Sequence, residues 1–405
     1  MNHRSRALAA AAFALVAGAC ASDGDDTTSD DTAVATDDTT TEVDATTEDD
    51  TASDDETGTG DAGDAPDGTD ASASDSELAD SITLVAYESF PTEGTGVNEQ
   101  LANFTAETGI DVEILVAGDT GTMLSKAELT AGNPEGDVMW GIDNTFLSRA
   151  IAADVFEPYV SPALADIDPE FTRLVPNGEA TPVDRGDVCV NYDIGALETA
   201  GIEPPSGFDD LVDPAYAGQL VVQNPATSSP GLAFLLATID EYGTDEAGGW
   251  QSYWQQLVDN DVAVADGWTA AYYERFSYYG GDRPIVVSYG SSPPFEVLFA
   301  DEQLDAAPTG VVESTCFRQV EFAGILAGTE KETEAAMLID FLVSKDFQAE
   351  LPLNVFVFPV NENVELDQAF VDYAVIPETS RSLEPAEIDA NRSDWIDAWT
   401  DLVLG

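Results

Sequence analysis

Tyr87, Trp268 and Tyr289, with Asp119 and the pair Asp143-Asn144, are the residues of this chain best suited to hold a ligand, because each lies at the end of a short apolar run or just past it. Rings offer stacking faces and cation–π attraction, and carboxylates favour positive charge, each worth on the order of 1 kcal/mol or more once water is excluded. Three rings and two acids at strand ends describe a pocket for a flat, cationic ligand; taken singly, each could equally be a turn or core residue. Catalysis finds no comparable set. The only histidine is His3, inside a leader, so the mature chain has no imidazole for Ser-His-Asp or Cys-His chemistry or for His-ligated zinc or copper. No nucleophile stands beside a base, no metal ligands cluster and no phosphate-binding P-loop occurs, so the chain reads as a binder that is not an enzyme and needs no cofactor or metal.

Strand-like runs that alternate with helical ones must position these residues. Ile82–Tyr87 reads as a buried strand, Asn98–Thr108 as a helix ended by Gly109, Val112–Val116 as a strand, Met123–Ala131 as a helix and Asp137–Gly141 as a third strand. That βαβαβ order predicts an α/β fold with a largely parallel sheet flanked by helices, whose ligands sit beyond the C-terminal strand ends. Further strands are expected at Val188–Tyr192, Gln219–Val222, Val262–Ala265 and Pro284–Tyr289. In the helix Trp250–Val258 the residues Trp250, Tyr253, Trp254 and Leu257 repeat at helical spacing and read as core. A last helix opens at Pro385, with Trp395 and Trp399 on its buried face.

The chain carries 79 Asp+Glu against 13 Lys+Arg in 405 residues, a formal charge of −66 that would repel nucleic acid. Residues 1–19 form an export signal, with Arg4 and Arg6 before the apolar run Ala7–Val16. Val16-Ala17-Gly18-Ala19-Cys20 resembles the lipobox of bacterial lipoproteins, in which Cys20 would be lipidated and tie the chain to the membrane; the alternative is an ordinary signal peptide cut near Ala19. Residues 21–80 hold 22 acids, 13 Thr and no Lys, Arg or aromatic residue. No hydrophobic period survives there, so residues 20–80 are expected to be a disordered linker of roughly 40–45 Å span that holds the body off a surface.

The body resembles the thiamine-binding proteins of bacterial ABC importers, within the type II periplasmic binding proteins. The resemblance rests on VAYESF at 85–90, DVMWGIDNTFL at 137–147, QNPATSSPGLAFLL at 223–236, VADGWTAAY at 264–272, VVSYGSSPPF at 286–295, FLVSKDFQAELP at 341–352 and EPAEIDANRSDWIDAW at 384–399. It implies two lobes around a ligand cleft: 81–187 for the first part of lobe 1, 188–308 for lobe 2, and 309–405 for the return to lobe 1 and the C-terminal helices. It also implies roles. Tyr87 would stack on the ligand, Asp119 would accept from the pyrimidine amine, and Trp268 and Tyr289 would be aromatic contacts. Ser228 would sit in a loop of hydroxyls and N–H groups suited to a phosphate ester. Phe295 and Phe356 stand where relatives can have Tyr and Trp, which keeps a π face and loses a polar handle. The partners implied are a thiamine-class small molecule, an ABC permease and its ATPase subunit, with the receptor a monomer that docks when its lobes close.

With Cys20 lipidated, Cys189 and Cys316 remain, at the entry to and the return from the second lobe, and an exported protein is expected to pair them. The alternative is two buried thiols. Rival ligands on the same fold are a polyamine or ferric ion, the latter because of Tyr272-Tyr273 and Tyr278-Tyr279; rivals from another class are an exported enzyme and an adhesive surface protein.

Beyond the linker the body keeps 57 acids against 11 basic residues, of which only Lys126, Lys331 and Lys345 are lysines. A small ligand engages one or two carboxylates, so the excess fits solubility in a salty environment. Added salt should therefore raise the melting temperature of the body by screening its self-repulsion; a flat or falling value in a salt series counts against that origin.

Overall fold

The computed structural model describes residues 78–244, 248–300 and 303–405. The export signal, Cys20 and the acidic linker as far as residue 77 lie outside the described residues. Among those described, ten strands form one sheet: β1 (Ser81–Ala86), β2 (Asp111–Val116), β3 (Val138–Asp143), β4 (Phe156–Glu157), β5 (Thr181–Asp193), β6 (Leu220–Gln223), β7 (Ala263–Ala265), β8 (Ile285–Tyr289), β9 (Thr309–Leu326) and β10 (Phe358–Pro359). Their main order is β2-β1-β3-β9-β5-β8-β6-β7. β1 runs parallel to β2 and β3, and β6 runs parallel to β7 and β8. β3 and β6 are buried along their whole length, as parallel strands with both faces covered must be.

The two parallel groups are joined by the long strands β5 and β9, which pair antiparallel with each other and with β8 and β3 respectively. The apolar runs alone predict a more uniformly parallel sheet. β9 escapes that pattern because charged and polar residues interrupt it, and β5 is 13 residues long where only its second half reads as a strand. β5 passes without a break through the boundary expected at residues 187/188.

Local signals set the helices. The helix Gly96–Thr108 starts with a reciprocal cap between Thr95 and Asn98 and stops at Gly109, whose φ of 81° suits glycine. The helix Thr120–Leu129 begins three residues earlier than its apolar pattern suggests, because Asp119 caps it. Trp250, Tyr253, Trp254 and Leu257 are buried as expected, and Trp254 meets Trp399 of the last helix, Pro385–Val403, edge to face at 5.4 Å. The same last helix sends Arg392 to Ser148 Oγ (3.2 Å) and over the ring of Phe146, so it touches elements beside both strand groups. No helix among the described residues is long and apolar enough to cross a membrane.

Cys189 and Cys316 are joined by a disulfide between β5 and β9. It sits where the register breaks: Val188 pairs with Phe317 but Val190 pairs with Val312, so residues 313–316 bulge out opposite Cys189. Thr315 Oγ1 accepts from the Val190 amide at 2.9 Å, standing in for a ladder bond. Replacing both cysteines (Cys189→Ser, Cys316→Ser) frees a loop of 127 residues. The urea midpoint should then fall by the equivalent of about 2–5 kcal/mol.

Candidate functional site

Tyr87 leaves β1 and lies against Gly141 of β3, where a Cβ would come within 2.5 Å of Tyr87 Cδ1. Gly141 also has φ 122°, outside the range of ordinary side chains, so glycine is required twice over to seat this ring. Across the sheet Tyr289 ends β8, half-buried, with its ring over Gly186 of β5 (3.4 Å to a Cβ built there). Trp268 follows β7 with its ring centroid 6.4 Å from that of Tyr289. It stacks on Tyr272 at 4.7 Å and 16°, and its indole N–H donates to Ser288 Oγ at 2.9 Å. A π-helical turn, Ala270–Arg275, places Tyr272 beneath Trp268 and Tyr273 at its edge.

Asp119 connects the two strand groups. Its Oδ1 accepts from the Thr120 amide (2.8 Å), and its Oδ2 accepts from the Trp268 amide (3.0 Å), 149 positions along the chain. Gly267 must be glycine here, since a Cβ would fall 2.8 Å from Asp119 Oδ2. One residue pair further, the Gly121 amide donates to Thr227 O at 2.9 Å. Burial pushes the Asp119 carboxyl up, opposed by the Thr120 amide, the neighbouring Ser228 hydroxyl and the Trp268 amide, which favour its ionised form. Ser228 is fully buried and stands, with extended backbone, at the position before the helix Ser229–Tyr242, its hydroxyl making no capping bond.

Phe295 and Phe356 form a second aromatic group, edge to face at 4.8 Å, with Phe299 against both. Tyr273 links this group to Trp268, so rings run without a gap from Tyr289 to Phe356. Phe356 has φ 61°, a backbone conformation that bulky residues rarely adopt. Its neighbours in space and the bond from its amide to Leu351 O (3.0 Å) hold it there.

Asp143 and Asn144 part company. Asn144 is structural: its side-chain oxygen accepts from Val320 N and its amide donates to Arg318 O, clamping β9. Asp143 is buried and accepts from Ser229 Oγ and from Thr145 Oγ1 (2.6 Å). Two carboxyls that the strand-end argument missed lie in the same row of the sheet, because Glu321 of β9 pairs with Asp143 on one side and Asp184 of β5 on the other. All three are buried, and none of the ion pairs found among the described residues involves them. Trp140 Nε1 donates to Asp184 Oδ2 (3.1 Å) and Gln319 Nε2 to Glu321 Oε1 (3.2 Å). Burial pushes Asp184 up to about 7 and also raises Glu321, where the charge of Asp184 adds to the effect. Burial and the charge of Glu321 in turn hold the phenols of Tyr87 and Tyr289 in their neutral form. A sequence signal was available for Glu321, a lone acid before the apolar run FAGIL, whereas Asp184 stands in the polar run Asp184-Arg185-Gly186-Asp187 and gives none.

A long crossover pair between two parallel groups, with rings and acids at the facing strand ends, is a geometry shared with known proteins. Residues 136–380 match the family described as bacterial extracellular solute-binding protein. The chain belongs to that family. This solute-binding protein is 29% identical over 323 residues to the thiamine-binding periplasmic protein of Escherichia coli (strain K12), covering 78% of this chain and 92% of that one. A solved structure titled periplasmic thiamin binding protein superposes with a TM-score of 0.69 at 26% identity, covering 80% of this chain and 96% of that chain. Iron uptake protein A1 of Synechocystis sp. (strain ATCC 27184 / PCC 6803 / Kazusa) is 25% identical over 74% of this chain and 84% of its own length. The fold is that of the type II periplasmic binding proteins.

Gly141→Ala should destabilise the protein by about 1–3 kcal/mol, through positive φ and displacement of Tyr87. Gly186→Ala, whose Cβ would make ordinary contact with Tyr289, should change little. Urea midpoints of the two variants measure the difference.

Proposed function

We propose that this solute-binding protein is the extracytoplasmic receptor of an ABC importer, that it captures thiamine or a thiamine phosphate, and that it hands the ligand to a membrane permease driven by a separate ATPase subunit. The observation that carries the reading is the ring wall of Tyr87, Trp268 and Tyr289, with Asp119 bonded to the Trp268 amide. A thiazolium is a flat permanent cation, matched by ring faces over a buried acid row. Asp119 uses one lone pair of each oxygen in the bonds described and has others free to accept from an aminopyrimidine. Its bond to Trp268, with Gly121 to Thr227, would close the two lobes over the ligand. Ser228 at the head of the helix Ser229–Tyr242 fits a phosphate ester held without Lys or Arg. Phe295 and Phe356 would wall the far side of the site. In this reading the receptor is a monomer without cofactor, tethered through a lipidated Cys20.

Ferric ion is the second reading, favoured by the iron-uptake relative and by the cluster of Tyr272, Tyr273, Tyr279 and Glu296. Burial argues against it. Tyr272 stacks under Trp268 with its hydroxyl bonded to Glu296, and burial, followed by the charge of Glu296, raises the phenols that a ferric site would need ionised.

Calorimetric titration with thiamine, its monophosphate and its diphosphate, with spermidine and a ferric salt as controls, should show saturable binding of a thiamine compound alone. Trp268→Ala and Asp119→Ala should each weaken that binding at least about tenfold. Silence with all three thiamine compounds defeats the assignment, and a coloured ferric complex would put iron in its place.

A further inference from the structure

Asp184 Oδ1 and Glu321 Oε2 are buried, belong to cross-strand partners and have no hydrogen-bond partner. If both groups were ionised, two acceptor-only oxygens would face each other across the ladder in a medium that screens poorly. A single proton resolves this, since it makes one oxygen a donor to the other. The side-chain oxygen of Gln319, 1% exposed, is also unpartnered, while its amide N–H group reaches both Glu321 Oε1 and Ser229 Oγ (3.2 Å each). Ser229 in turn donates to Asp143. Asp143, Ser229, Gln319 and Glu321 are therefore hydrogen-bonded in one row, with Asp184 beside Glu321 at its end as the cross-strand neighbour on β5.

The groups that face this row are few. Tyr87 comes from the end of β1 and Tyr289 from β8, both neutral phenols, and Asp119, from the start of its helix, faces these two rings. Arg392 is the cation within electrostatic reach of Asp143, and its guanidinium is turned to Thr145 O and Ser148 Oγ. A positive charge brought against Tyr87 and Tyr289 would thus be the counter-ion that the row lacks.

We propose that Asp184 and Glu321 share one proton in the empty receptor and release it to solvent when a cationic ring settles against Tyr87 and Tyr289, so that ligand capture is coupled to proton release and the row selects ligands by their charge. This rests on the thiamine reading for the identity of the cation, while the shared proton is a property of the free protein. The charge balances: the row goes from two negative charges to three as one positive charge enters, and the proton passes to buffer.

Two measurements on the whole mature protein test it. Infrared spectra of the free protein near neutral pH should contain the carbonyl band of a buried protonated carboxylic acid. That band should disappear in Glu321→Gln and in Asp184→Asn, either variant sufficing if the other fails to fold, and should bleach when thiamine is added to the wild type. Titration with thiamine in buffers of different ionisation heat should show close to one proton released near neutral pH. Affinity should weaken by up to about tenfold for each pH unit of acidification, and Glu321→Gln should abolish both effects. A free protein without the band, or thiamine binding with no buffer-dependent heat and no pH slope, overturns the proposal. Should thiamine not bind at all, the thiamine reading and release on thiamine both fall, and the band with its loss in the variants still decides whether the row holds the proton.

Discussion

The antiparallel pairing of β5 with β9 is the constraint on which the other features of the body depend. Each parallel group can bury its own strands under its own helices, and this ladder is the continuous sheet pairing that fixes where one group lies with respect to the other. It places the end of β1 opposite the end of β8, and so Tyr87 opposite Tyr289. It also carries the register that aligns Asp143, Glu321 and Asp184 into one row. Where the ladder breaks, between Val188 and Val190, a disulfide and the Thr315 hydroxyl replace what the missing pairs would have held. A slip of one residue would turn every side chain of β5 to the other face, taking Asp184 away from Glu321.

Much of the architecture was legible because burial leaves a simple trace. ITLVA and VMWGID are largely apolar runs, and strands of that kind have few other places to go, while VEILV forms the largely exposed edge strand β2. The aromatic positions of the helix Trp250–Asp259 follow their spacing into the core. β9 was not legible. TGVVESTCFRQVEFAGIL mixes apolar residues with Glu313, Arg318, Gln319 and Glu321, because this strand lies in the middle of the sheet and also faces the cleft. The pattern for a core strand and the pattern for a site overlap in it and obscure each other. The S-x-x-F-Q stretch at 344–348, part of the resemblance, has a plain structural role: Gln348 is fully buried, donates to Val183 O and Leu342 O, and accepts from the Val360 amide.

Of the candidate site, the rings and Asp119 stand out by their place at strand ends, since a parallel strand delivers its last residue to one edge of the sheet. That Asp119 also caps a helix and joins the two strand groups does not, because the partner amide lies at Trp268 and only the folded chain brings it near. Asp184 and Glu321 illustrate the opposite case. Glu321 is visible in the sequence as an acid at the head of an apolar run, yet its meaning comes from having Asp184 as a neighbour, and neighbours 137 positions apart follow from the register of β5 on β9 rather than from spacing along the chain.

The acidity of the surface has a kinetic side. The basic residues of the body are largely engaged: Arg149 with Glu128, Arg275 with Asp282, Arg283 with Asp261, Arg318 with Asp187, Lys331 with Asp137, and Arg381 with Asp240 and Glu241. The remaining carboxylates then form a field of one sign over most of the body. Such a field draws a small cation inward from any approach direction and raises the frequency of productive encounters, more steeply in dilute medium than in brine. The speed with which a cationic solute is found would thus be set by the whole shell, and the strength with which it is kept by the few groups between Tyr87 and Tyr289.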